Sequence, residues 1–175
     1  MDMQLTFNQN YVYWIYEGQK IEVKAKDIFF AANKEGRYIY IECGKNYMID
    51  VAYYYDLKGN LILSYSIKEG IICIGNKKIH INELKLASYY PNQNTILLLV
   101  GEKGKKMICY NLEGIRLYET EDPIGYEMRY FQTNGKEIYV VCDSDKQDAD
   151  KYGRFTYSFL IDLSTGKLTK GSLSY

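Results

Sequence analysis

The 175-residue sequence predicts an all-β protein assembled from repeated antiparallel strands, and three observations carry that prediction. The stretch Tyr55-Asp56-Leu57-Lys58-Gly59-Asn60-Leu61-Ile62 returns as Tyr110-Asn111-Leu112-Glu113-Gly114-Ile115-Arg116-Leu117, and again as Ile161-Asp162-Leu163-Ser164-Thr165-Gly166-Lys167-Leu168. Each copy is an apolar run, Asp or Asn, Leu, a polar tip with Gly, and a second apolar run. That is a hairpin, with the glycine accepting positive φ at the turn. Ile21, Ile28, Tyr38 and Ile41 also stand 58 positions ahead of Ile79, Leu86, Ile96 and Leu99, with no gap. One long fixed period marks repeated structural units. Finally, 20 tyrosines against 2 prolines is a balance that favours strands.

Taken in order, Met3 to Phe7 reads as a strand, followed by a hairpin of Tyr11 to Tyr16 and Ile21 to Ala25 about Glu17-Gly18-Gln19. Ile21, Val23 and Ala25 alternate with Lys20, Glu22 and Lys24, the period of a half-buried strand. Ile28 to Ala32, Tyr38 to Cys43 and Met48 to Tyr55 then lead into the first copy of the turn motif. Ile71 to Ile74 and Ile79 to Ile81 form a hairpin about Gly75-Asn76-Lys77. Leu86 to Tyr90, Ile96 to Val100 and Met107 to Tyr110 repeat the order up to the second turn. A third copy runs through Met128 to Phe131, Ile138 to Cys142 and Thr156 to Leu163. No helix is predicted: Asn82 to Ser88 and Gln147 to Tyr152 are too short and uncapped to stand alone.

The equivalent runs Tyr38-Ile39-Tyr40-Ile41, Ile96-Leu97-Leu98-Leu99-Val100 and Ile138-Tyr139-Val140-Val141-Cys142 do not alternate. A sandwich strand buries one face and wets the other, whereas an inner propeller strand is covered on both. Each unit therefore resembles a β-propeller blade, over residues 28–66, 86–119 and 128–173, although no Trp-Asp blade ending is present. The resemblance implies a small propeller-like stack of antiparallel four-stranded repeats, in a single domain over 1–175. A twisted β-sandwich or barrel is the alternative. The N-terminal strands and the 71–81 hairpin either complete a fourth blade or decorate the other sheets.

Composition narrows the function. The 22 basic and 22 acidic residues cancel, without the basic excess of a nucleic-acid binder. No apolar run reaches the ~20 residues of a membrane-spanning helix. The start, Met1-Asp2-Met3-Gln4-Leu5, has neither basic head nor apolar signal core, so a cytoplasmic location is expected. Cys43, Cys73, Cys109 and Cys142 sit in apolar runs without C-x-x-C spacing and read as reduced, buried thiols. His80, the single histidine, lies on the polar face of its strand with no partner for nucleophilic chemistry at readable spacing. With no phosphate loop or dinucleotide motif either, no enzyme activity, cofactor or bound metal is expected.

Charge is distributed unevenly. Between Glu119 and Asp150 nine acidic residues stand against Arg129, Lys136 and Lys146, a local −6 in a chain otherwise +6. The densest part, Asp143-Ser144-Asp145-Lys146-Gln147-Asp148-Ala149-Asp150, is a loop where the earlier copies have only a short turn. Insertions into a rigid scaffold often carry function. The loop reads as a solvated linker, as a Ca²⁺ site on Asp143, Asp145 and Asp148, or as a surface for a basic partner. A calcium-hand loop would want Gly and Glu where Asp148 and Arg154 stand. The third reading makes Glu121, Asp122, Asp143, Asp145, Asp148, Asp150 and Tyr152 the expected partner-binding residues. The abundance of Lys, Ile, Tyr and Asn is similar to that of proteins from AT-rich bacterial genomes. In role, the chain resembles the immunity proteins that neutralise a cognate secreted toxin, which implies a monomeric, non-enzymatic binder of a basic toxin domain such as a nuclease. The alternative is a propeller-like enzyme or carbohydrate-binding domain with a site of Tyr and carboxylates.

Overall fold

The computed structural model describes residues 4–144, 149 and 152–173. Their regular structure is β-strand apart from two single 3-10 turns, Pro91–Gln93 and Glu102–Gly104. The chain falls into two compact units, Met1–Ile81 and Asn82–Tyr175. In the first, β1 (Leu5–Phe7), β2 (Tyr11–Tyr16) and β3 (Gln19–Lys24) form a three-stranded sheet in chain order. A six-stranded sheet follows, also in chain order: β4 (Ile28–Lys34), β5 (Tyr38–Cys43), β6 (Val51–Asp56), β7 (Leu61–Ser66), β8 (Ile71–Ile74) and β9 (Lys77–His80). The second unit holds two four-stranded sheets. One is β10 (Leu84–Tyr90), β11 (Thr95–Val100), β12 (Lys106–Tyr110) and β13 (Arg116–Glu121). The other is β14 (Tyr126–Asn134), β15 (Glu137–Ser144), β16 (Thr156–Ile161) and β17 (Leu168–Leu173). All neighbouring strands are antiparallel, and no sheet closes on itself among the described residues.

The predicted units at 28–66, 86–119 and 128–173 thus correspond to β4–β7, β10–β13 and β14–β17. The hairpin at 71–81 decorates: β8 pairs with β7 and widens the first repeat to six strands. Residues 84–90 are strand, as their place in the repeat demands, and not helix.

The three repeats share details finer than strand count. Each opens on a residue of left-handed backbone, Asp27 (φ 59°), Glu83 (φ 53°) and Gly125 (φ 80°). A register shift follows within the first strand, between Ile28 and Phe30, Leu84 and Leu86, and Met128 and Tyr130. In each case the last five residues of the strand run in unbroken register after the bulge.

The recurring turn explains itself in hydrogen bonds. The carboxylate of Asp56 accepts from the N–H of Lys58 (2.9 Å) and Asn60 (2.8 Å). Asn111 Oδ1 accepts from Ile115 N–H (2.8 Å), and Asp162 Oδ1 from Ser164 N–H (2.9 Å). An Asp or Asn side chain thereby satisfies turn N–H groups that the ladder leaves orphaned. The following Leu57 and Leu163 turn inward and pack on the cores.

Both units bury a core between their sheets. In the first, Val12, Trp14 and Val23 meet Ile28, Ala31, Ile39, Ile41 and Cys43. The Trp14 indole, fully buried, donates to the Leu57 carbonyl at 2.8 Å and so ties the N-terminal sheet to the first turn motif. In the second, Leu97, Leu99, Met107 and Cys109 meet Met128, Ile138, Val140, Cys142, Phe159 and Ile161. All six residues of β11 are buried, the two-faced burial that its unbroken apolar run predicts. The four cysteines are free thiols; Cys43, Cys109 and Cys142 are buried, and Cys73 is half-buried. None of the described helices is long and apolar enough to cross a membrane.

Candidate functional site

In the second unit, the ends of β13, β14 and β15 and the Glu102–Gly104 turn enclose a polar groove of about 530 Å³. Its floor is a chain of charges. Lys103 Nζ lies 3.2 Å from Glu127, Glu127 lies 3.7 Å from Arg129, and Arg129 Nε donates to Asp143 at 2.7 Å. Thr156 Oγ1 donates to the other oxygen of Asp143 at 2.9 Å. The hydrogen bond from Arg129 to Asp143 raises the pKa of its guanidinium, which stays a cation throughout.

One wall is the turn from Asp122 to Tyr126, closed by Tyr126 N–H donating to the Pro123 carbonyl at 2.9 Å. Gly125 takes the left-handed position (φ 80°), and Asp122 N–H is pinned to the Lys105 carbonyl at 2.8 Å. A tight turn held at both ends pushes its tip outward. That tip is Ile124, 100% exposed, the most exposed large apolar side chain among the described residues. Glu121 and Asp122 precede it, and neither has an ion pair among the described residues.

The expected binding residues therefore divide. Glu121 is exposed at the end of β13, Asp122 lines the groove, and Tyr152 is 70% exposed with the Arg154 guanidinium 5.2 Å from its ring centre. Asp143 lies in β15, not in a loop, with its side chain 23% exposed and tied to Arg129 and Thr156. Asp145, Asp148 and Asp150 lie outside the described residues.

Folding also redistributes the charge of the acidic segment. Glu119 is answered by Lys106 at 2.8 Å and by Arg116, and the Lys106 hydrogen bond holds its carboxyl below the usual range. Glu127 is answered by Lys103 as well as Arg129. Lys103, Lys106 and Arg116 all lie outside the 119–150 stretch, so the count along the chain overstates the local field. Ile124 is absent from the residues the sequence singled out. Its signal is nonetheless there: an isoleucine between one of only 2 prolines and a glycine, directly after Glu121 and Asp122.

No family model matches the chain, and no curated protein matches it in sequence. Solved structures are similar to it in fold. A chain of the Mitotic Checkpoint Complex crystal structure aligns with a TM-score of 0.52 at 10% identity, covering 94% of this chain and 60% of that one. HIRA residues 644–1017 give 0.45 at 9%, with 91% and 43% covered. Kluyveromyces lactis Hsv2 gives 0.46 at 11%, with 98% and 70% covered. The chain thus spans 43% and 60% of the first two structures it is similar to. At such identities the likeness is one of fold, and the all-β, propeller-like class predicted from the repeats holds.

Proposed function

We propose that the chain is a non-enzymatic protein-binding module that docks its partner on the groove of the second unit. The observation that carries this reading is Ile124, fully exposed on the turn whose Asp122 and Gly125 line the groove, with Glu121 and Asp122 just before it in the chain. A bare apolar side chain on a pinned turn, with two acids just before it, has the form of an anchor for a partner's pocket, with the charges as rim. The floor charges are occupied with one another, which suits them to holding the wall in place. The similar Mitotic Checkpoint Complex chain is itself part of a complex, which supports the same use of the fold here.

Within that class we read the chain as a bacterial immunity protein whose partner is a basic toxin domain. Support comes from Glu121 and Asp122 beside the anchor, neither of which has an ion pair among the described residues. The test is co-expression with the products of the flanking genes, scored for growth rescue and then for affinity across salt concentrations. We expect one product to be toxic alone and bound tightly, with association slowing as salt rises. If no flanking product is toxic, the immunity reading falls. If one is toxic and neutralised with no salt dependence and no contact at Ile124, the site assignment falls.

A further inference from the structure

We infer that a second groove, wholly within the 1–81 unit, is a binding site for an uncharged carbohydrate. The groove holds about 510 Å³, in the size class of small-ligand sites, and Phe7, Phe29 and Tyr47 supply its aromatic walls. Tyr47 is 84% exposed, yet it is not loose: its ring meets Phe29 edge-on at 5.9 Å and 76°. The loop that carries it is fastened at three points. Gly44 N–H donates to the Asp27 carbonyl (2.9 Å), Met48 N–H to Lys45 (3.0 Å) and Asp50 N–H to Cys43 (2.9 Å). Gly44 is irreplaceable in this loop, because a Cβ there would lie 1.9 Å from the Met48 carbonyl oxygen. Asn46 and Tyr47 are both left-handed (φ 54° and 59°), an uncommon state for a bulky residue. The chain thus holds a large ring in solvent, braced at one edge.

The polar lining selects among ligands that could cover such a ring. Asn8 Oδ1 accepts from the N–H of Asn10 (2.8 Å) and Tyr11 (3.1 Å), which leaves its NH₂ group as donor. Gln9 and Asn46 add carboxamides that donate and accept, while Asp27 and Lys45 bring one charge of each sign. A proline-rich peptide offers mostly carbonyl acceptors and would leave Asp27 unmatched. A nucleotide would set its phosphates near Asp27 with a single lysine in compensation. A sugar ring fits both halves: its C–H face lies on an aromatic plane, and its hydroxyls each donate and accept. The balanced charge of the lining fits a neutral saccharide.

The test screens the whole chain against an array of neutral oligosaccharides, with sulfated glycans and a proline-rich peptide alongside, and follows hits by calorimetry. We expect at least one neutral glycan to bind, Tyr47→Ala to weaken it by about tenfold or more, and Tyr152→Ala on the other unit to leave it unchanged. Asp27→Asn keeps a residue that tolerates left-handed backbone and should weaken binding several-fold, which preserves the test if Tyr47→Ala fails to fold. No neutral glycan bound at millimolar concentration overturns the proposal, as does binding unmoved by both variants. Preference for the sulfated glycans or for the peptide overturns it too, in favour of an anion site or a peptide groove.

Discussion

Leu99 shows how a single residue ties sequence to stability. It is 1% exposed in a strand buried on both faces, between Met107 in register on β12 and Leu86 on β10. Leu99→Ala should cost about 2–5 kcal/mol, read from the urea midpoint, because a packed core relaxes only partly around a lost side chain. The cysteines make a second prediction at this scale. Burial pushes the Cys43 thiol up to about 11 and the Cys142 thiol up to about 12, and pushes Tyr55 up to about 12. Raised values mean that the folded chain keeps protons the unfolded chain has already lost. Stability from these groups is therefore complete below about pH 9, where unfolded thiols titrate, and drains away as pH rises toward 12. Alkaline titration of the unfolding free energy should show that decline, and a flat profile from pH 8 to 12 would refute it. At pH 8 the half-buried Cys73 should alkylate first and the three buried thiols only on unfolding.

At the level of the element, the recurring Asp-Leu turn does more than reverse the chain. In its third copy, Gly166 packs on β13: a Cβ there would sit 2.4 Å from Thr120 Oγ1 and 2.5 Å from the Tyr118 ring, and Thr120 Oγ1 donates to the Gly166 carbonyl at 2.9 Å. Gly135, also left-handed (φ 61°), has nothing within 4 Å. Gly135→Ala should therefore cost about 1 kcal/mol of backbone strain, while Gly166→Ala should cost clearly more, since it adds a clash to the same strain. Equal melting shifts for the two variants would show that the turn does not buttress the neighbouring sheet. These turns were legible in the sequence because Asp, Leu and Gly each have a local reason to stand where they do. The two-faced strands were legible for the same reason, since an unbroken apolar run states its own burial. The bulges at Phe29, Lys85 and Arg129 were not, for they answer to partner strands and leave no local mark. The pairing of β8 with β7 was equally hidden, because either edge of a hairpin can join a sheet.

For the whole molecule, the sequence gives repeats but not what each surface faces. The net charge of 0 hides an acidic stretch, and the stretch in turn hides cations that fold against it from Lys103, Lys106 and Arg116. Of the residues expected to bind a partner, Glu121 and Tyr152 are exposed and Asp122 lines the groove. Asp143 took a structural post because Arg129, bulged out of register on β14 two residues past Glu127, the partner of Asp143 there, reaches it. The anchor role proposed for Ile124 rests on a turn pinned from Lys105, a contact that no local reading supplies. The measurement closest to the central claim is the partner affinity of Ile124→Asp, taken beside wild type with melting temperatures for both. Ile124 makes no buried contact in the chain alone, so melting should be unchanged within about ±0.5 kcal/mol of stability. Affinity should fall by about thirtyfold or more, the loss of a central anchor worth roughly 2 kcal/mol. Affinity within twofold of wild type would contradict the account and place the docking surface elsewhere.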